Sequence, residues 1–331
     1  MEHVLNSLKL PTDKNIRYLL VILVGILAIM ALSSGQAFFS VSNLQSMSSQ
    51  MPLLGLLALA MAVCMLTGGI NLSIIATTNA CSLVMASIIT QAPDSAMMLI
   101  LALVGGLITA IVVGLLNGAL IAYVGVSPIL ATLGMMTLIN GLNVLVSGGS
   151  VISGFPEALQ VLGNGSLMGI PTPLILFVAF AIGLWALLEH TPLGRTIYLM
   201  GSNEKATRFS GINTQKATLY VYVISSMLCW VAAIVMMAKF NSAKAGYGES
   251  YLLIAILASV LGGINPDGGF GRIIGIGLAL IVLQTLESGL NLLGVSSYLT
   301  MALWGGILIL FIFLQKIRLN GEDYDYLFHW R

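Results

Sequence analysis

Residues 66–75 read LTGGINLSII and stand between two apolar runs that each look like part of a membrane span. Two glycines, an asparagine and a serine fall where a lipid-facing helix is expected to continue. A similar string, VLGGINPDGG, returns at 260–269. Glycine permits close backbone packing and non-helical angles. Non-helical backbone near membrane depth is tolerated where protein or a water-filled cavity covers it. Asn71 and Asn265 can then satisfy freed backbone groups. Gly68, Gly69, Gly262 and Gly263 are therefore read as structural, each pair ending a short span. Plain helix-ending turns are the alternative.

Composition sets the frame around this stretch. Of 331 residues, 58% are hydrophobic and 8% charged, against roughly 25% charged in a soluble domain. No charged residue lies between Arg17 and Asp94, or between Asp94 and Glu157. Such runs read as membrane helices of about 20 residues each, and a barrel would show short alternating strands instead. The predicted class is all-α, a polytopic membrane protein with about ten transmembrane helices. The spans run roughly 18–34, 51–67, 71–90, 96–121, 127–146, 171–188, 217–238, 250–264, 273–293 and 297–314. The second, third and eighth are expected to be short or Gly-interrupted.

Charge orients them. With the N-terminus inside, Lys9, Lys14, Arg17, Arg195, Lys205, Arg208, Lys216, Arg272, Lys316, Arg318 and Arg331 all fall on the cytoplasmic side. Only Lys239 and Lys244 fall outside, a strong positive-inside asymmetry. Both termini are then cytoplasmic: a tail at 1–17, a membrane domain at 18–314 and a second tail at 315–331. The start MEHVLNSLKLPTDKNIR lacks the order of a signal peptide and reads as a retained tail.

Several chemistries have no support. There is no GxxxxGK[ST], no HExxH and no GxSxG, so no catalytic residue is expected. A net charge of +1 gives no case for nucleic acid. Cys64, Cys81 and Cys229 lie in apolar stretches without metal-ligand spacing, and no metal site is expected. Glu287 is the one clear ionisable residue inside the spans, whereas an ion-driven transporter usually keeps several. The neutral amides and hydroxyls around it suit a neutral, hydroxyl-rich solute. Asn71, Ser73, Asn79, Thr132, Asn140, Gln284, Glu287 and Asn291 are the candidates for a translocation path. Interhelical hydrogen bonding is the alternative use of such groups. Gln284, Glu287, Ser288 and Asn291 share one helical face. Glu287 lies roughly 21 Å from the cytoplasmic end of its span, so this face is expected to turn inward.

The loop 189–216 is the longest inside segment, and its SNEKATRFSG reads as a short capped helix. Ser202 or Asn203 can cap its start, Glu204 suits the first turn and Arg208 the last, and Gly211 can take the left-handed stop. Ser202, Asn203, Glu204, Lys205, Arg208, Phe209 and Gly211 are thus candidates for docking a cytoplasmic partner. An ordinary solvated loop is the alternative.

Taken together these pieces resemble a known family. LTGGINLS resembles the signature of ribose/galactose/xylose-type permeases of ABC importers, which usually read SGGIDLSVG. PILATLGMMTLINGL at 128–142, HTPLGRTIYLMGSNEKATRFSGIN at 190–213 and LESGLNLLGVSSY at 286–298 are similar to three further segments in the same order. The resemblance runs from about residue 18 to 318. It implies an inner-membrane permease subunit of a monosaccharide importer. A soluble sugar-binding protein would deliver the solute, and a second permease copy, identical or related, would complete the path. A cytoplasmic ATPase subunit would bind ATP and magnesium, with the helix at 202–210 as its coupling element. No cofactor is implied for this chain. The outer loops 147–170 and 239–249 are then expected to receive the binding protein.

Asn71 departs from the usual Asp, Ile75 from the usual Gly, and Glu287 and Ser288 from a usual pair of Asn. A substrate therefore does not carry over from a relative. A secondary transporter of a neutral solute is one competing function; an importer permease for a nucleoside or a sugar-derived signal is another. A second echo, GVSP at 125–128 and GVSS at 294–297, falls on opposite membrane sides, as an inverted repeat requires. The two GGIN strings fall on the same side, so at least one of the echoes is expected to be accidental.

Overall fold

The computed structural model describes residues 14–93, 95–296, 298–310 and 313. The expected tail at 315–331, most of the one at 1–17, Asp94 and the last turn of the tenth span lie outside the described residues. The helices are α1 (Lys14–Phe38), α2 (Val41–Met65), α3 (Ile74–Ile89), α4 (Ala96–Ala119), α5 (Pro128–Ser147), α6 (Glu157–Asn164) and α7 (Thr172–His190). They continue with α8 (Pro192–Phe209), α9 (Thr214–Phe240), α10 (Tyr251–Leu261) and α11 (Ile273–Leu292), then α12 (Tyr298–Leu310). A π turn, Leu120–Val124, prolongs α4.

Among the described residues, α1, α2, α4 with its π turn, α5, α7, α9 and α11 are long and apolar enough to cross a membrane. The shorter apolar helices α3, α10 and α12 stand where the other three spans are predicted, each below the length of a full crossing. Helix α2 is apolar all round from Leu53 to Met65, as a helix buried on every side must be. It and α9 form the centre, with 72% and 78% of their most apolar windows buried; the figure is 28% for α4 and α5 and 22% for α7. These outer helices expose Ile108, Leu133 and Ile182, which suits a lipid boundary. Helix α9 packs on α2, α3 and α4, while α11 packs on α1 and α2.

Four two-residue strands lie in the loops. β1 (Ile152–Ser153) pairs antiparallel with β4 (Ser242–Ala243), so the two expected outer loops are joined. β2 (Ser166–Leu167) pairs with β3 (Ile170–Pro171). The basic residues Arg195, Lys205, Arg208, Lys216 and Arg272 belong to the opposite end, where the segments 66–73 and 262–272 also lie.

One expectation is corrected. The second span is not short. VSNLQSMSSQ at 41–50, too polar to read as a span, is the first part of α2, so the outer loop after α1 shrinks to Phe39 and Ser40. Ser40 starts the helix by accepting from the Asn43 backbone N–H at 3.2 Å. Short helices do occur at α3 and α10, which follow and precede the GGIN stretches. The two strings agree with the expectation that one of the echoes is accidental. The left-handed residue is the first glycine at Gly68 (φ 78°) but the second at Gly263 (φ 89°). They are not conformational repeats. GVSP and GVSS do match: Gly125 and Gly294 both take left-handed angles at a helix end.

Candidate functional site

The turn at 66–73 leaves backbone groups that no helix satisfies, and side chains from four directions reach them. Asn71 Nδ2 donates to Ser225 Oγ of α9 at 3.0 Å, and Ser225 Oγ donates to the Ala60 carbonyl of α2 at 2.7 Å. Asn71 Oδ1 accepts from the Ser73 backbone N–H at 3.1 Å and from Ser73 Oγ at 2.7 Å. Asn117 of α4 donates to Ser73 Oγ at 2.9 Å. Thr132 of α5 accepts from the Leu72 N–H at 3.1 Å, and its own proton faces Pro128 O at 2.8 Å and Ile70 O at 3.0 Å. All five side chains are at most 1% exposed. In this conformation Asn71, Ser73 and Thr132 close a network instead of lining open space. The network also explains the amide at position 71. Ser225 spends its one proton on Ala60, so it needs a donor, and a carboxylate has none to give.

A cleft of about 560 Å³ lies beside this end, lined by Glu189, Tyr198, Gly263 and Arg272, but the open space that the predicted path residues reach lies at the other end. A cleft of about 650 Å³ separates the end of α9 and the loop after it from α10, α11 and α12. Tyr247, Tyr251 and Trp304 line it with rings, and Ser242, Glu287 and Asn291 line it with polar groups. A second cleft of about 200 Å³ lies between α2 and α11, where Asn43, Ser46 and Gln50 face Gln284, Glu287 and Asn291. Glu287 and Asn291 thus belong to both. The predicted face of α11 turns inward as expected, and Ser288 Oγ fastens it to α2 by donating to Asn43 Oδ1 at 2.9 Å. Asn79, fully buried, donates to the Tyr247 carbonyl at 3.1 Å and ties α3 to the cleft. Lys239 points its ammonium away from the cleft to the Ser49 carbonyl at 2.8 Å. Asn140, half-buried on α5, lines neither cleft.

The loop 189–216, expected on the cytoplasmic side, is more helical than its sequence suggests. Thr191 caps α8 by accepting from the Gly194 N–H at 3.2 Å. Asn203, at φ −163° and ψ 98°, breaks α8 into 192–202 and 204–209. Of the two expected caps, Asn203 is the one used: its Oδ1 accepts from the Ala206 N–H at 3.0 Å. Gly211 takes the left-handed stop at φ 82°. Ser202, Glu204, Lys205, Arg208 and Phe209 are exposed, and Phe209 is 91% exposed. An aromatic ring this bare beside charged neighbours suits a partner surface. From the first piece of α8, Tyr198 donates to the Gly271 carbonyl at 2.9 Å. Burial, with the nearby Glu189 carboxylate, raises its phenol above the ordinary value.

Gly262 and Gly69 are where the sequence placed close approaches. A Cβ on Gly262 would meet the Ile276 backbone at 2.7 Å, so α10 and α11 touch main chain to main chain. A Cβ on Gly69 would meet the Tyr222 hydroxyl at 2.7 Å. Sequence reasoning missed the ring-bearing residues of the large cleft. Their one signal was the run YGESY at 247–251 after a basic outer loop. It also missed Ser225, a serine like many others in an apolar helix.

A family model described as branched-chain amino acid transport system / permease component matches residues 43–312. The ribose import permease protein RbsC of Bacillus subtilis is 36% identical over 301 residues, covering 90% of each chain. The autoinducer 2 import system permease protein LsrD of Yersinia enterocolitica is 33% identical over 310 residues, 91% of each. The ribose import permease protein RbsC of Escherichia coli K12 is 35% identical over 300 residues, 89% of this chain and 92% of its own length. No solved structure matches the chain. With most of its length matched and its helices long enough to cross the bilayer many times, the chain belongs to the branched-chain amino acid transport system / permease component family, as a multi-pass permease of the inner membrane.

Proposed function

We propose that this chain is the membrane-spanning permease subunit of an ATP-driven, binding-protein-dependent importer, and that it carries a monosaccharide-like, hydroxyl-rich solute inward. The observation that carries this reading is the outer cleft. Rings from Tyr247, Tyr251 and Trp304 offer flat apolar faces, and Ser242, Glu287 and Asn291 offer hydrogen-bonding groups. A sugar needs both, apolar faces for its C–H surfaces and polar groups for its hydroxyls. The names of the ribose import relatives favour the same solute class. The segment 203–211, with Phe209 bare, is the proposed dock for an ATPase subunit that holds ATP and magnesium. The paired outer loops 147–170 and 239–249 are the proposed seat of the binding protein, and a second permease copy completes the path. This chain itself is proposed to catalyse nothing and to bind no cofactor.

The test is reconstitution in liposomes with an ATPase subunit and a binding protein that copurify with the chain, following labelled ribose. Uptake should require ATP on the ATPase side. Uptake driven by a proton gradient without ATP would sink the reading. A sugar-derived signal in place of a nutrient sugar is the second reading, and the autoinducer 2 import relative at 33% identity favours it. Competition by each solute class in the same liposomes separates the two.

A further inference from the structure

Both broken spans and the loop 189–216 meet at one point, and they meet mostly main chain to main chain. Gly201, near the end of the first piece of α8, lies so close that a Cβ would overlap the Leu66 oxygen and the Gly269 nitrogen. A Cβ on Gly268 would stand 2.7 Å from Gly68 N and 2.8 Å from Gly201 Cα. One on Gly269 would stand 2.5 Å from Ser202 Oγ and 2.8 Å from Ser202 N. A hydrogen bond from Gly269 N to the Leu66 carbonyl, 2.9 Å, crosses the junction.

Main chain in direct contact has no rotamer to change and little compressibility, so it passes a displacement on instead of absorbing it. The connections from this point are short. Gly201 stands two residues before Asn203, the cap of the 204–209 helix. Leu66 and Gly68 lead into the Asn71–Ser73 network and α3. Gly268 and Gly269 lead through Arg272 to α11, which carries Glu287, and α10 leans on α11 at Gly262.

We propose that Gly201, Gly68, Gly268 and Gly269 are positioning residues that transmit movement of the 204–209 helix to both broken spans as one rigid body. The proposal rests on the docking reading of 203–211. Hydrogen exchange on the full complex in nanodiscs tests it, comparing the ATP-free state with an ATP-bound state held by a hydrolysis-deficient ATPase. In the native chain, exchange should change together in 203–211, 66–72 and 264–271. Gly201→Ala should keep the change in 203–211, lose the other two and retain ATP hydrolysis. Its uptake should fall about tenfold or more, the scale on which ångström misplacements act. Gly183→Ala, where a Cβ meets nothing within 4 Å, should transport normally. The proposal is overturned if ATP changes 203–211 alone in the native chain, or if Gly201→Ala transports like the native chain. The native measurement decides even if Gly201→Ala fails to insert. No ATP-dependent change in 203–211 would overturn the docking reading, and this inference with it.

Discussion

Gly201, Gly268 and Gly68 touch with nothing but main chain between them, whereas at the opposite end Tyr251, Trp304 and Glu287 stand around about 650 Å³ of space. The two ends use different materials. Backbone contact fixes distance and tolerates almost no substitution. A lining of side chains can be altered one group at a time, which changes what fits. The comparison teaches that variants at the outer end should move affinity for the solute. Variants at the cytoplasmic end should move the coupling of hydrolysis to uptake and leave affinity alone.

The largest effect is expected at Glu287, which both clefts share. Glu287→Leu removes the carboxyl group proposed to hydrogen-bond the solute, at about 1.5–3 kcal/mol for each bond to a charged group. It should raise the KM for uptake by roughly ten- to a hundredfold. Glu287→Gln keeps a hydrogen-bonding group of the same shape and should stay within about threefold. A Gln variant as dead as Leu would point to proton coupling and break the comparison. Next is Asn71→Asp, which restores the usual family residue. It leaves Ser225 without its donor in a buried network, at about 1–3 kcal/mol. Thermal unfolding of the purified complex should show the loss, and an unchanged midpoint would mean the network is not as drawn. Ala206→Pro removes the N–H that Asn203 caps. Ala206 lies in the first turn, so the cost is about 1–2 kcal/mol, less than the roughly 3 kcal/mol of a mid-helix proline. Uptake per ATP hydrolysed should drop about tenfold with KM unchanged. A shift in KM instead would place 203–211 in solute binding. The smallest effect is expected at Tyr247→Phe. It removes a hydroxyl that pairs with Ser242 at 3.1 Å, worth about 0.5–1.5 kcal/mol, and should raise KM a few-fold at most.

The spans were legible because lipid forces long apolar runs, and the distribution of thirteen basic residues sets their direction. The start of α2 was not. Its serines and glutamines read as a loop, yet Asn43 finds Ser288 on α11 and Ser46 and Gln50 face a cleft. Helical polar residues with polar neighbours across the interface look the same in sequence as a solvated turn. The cap at Asn203 and stop at Gly211 were readable from local chemistry alone. The helix at 192–202 before them was not, since proline, glycine and arginine near its start masked its period. Glycine pairs announced close approach but not what approaches, because the partners of Gly201 lie some 65 to 135 residues away in the chain. The lining of the outer cleft assembles from two separated stretches, 240–254 and 287–304, and neither alone signals it.

The burial of α9 has a mechanical consequence. Transporters that rock one half of the chain against the other need a seam between the halves. Among the described residues there is no such seam. Helix α9, from the second half, is lodged among α2, α3 and α4 of the first, and α11 lies against α1 and α2. Parting the halves would pull α9 out of the core. On the proposed import reading, access then passes from one membrane side to the other through the short helices α3 and α10 with their flanking turns, or by the whole chain tilting against a neighbouring molecule.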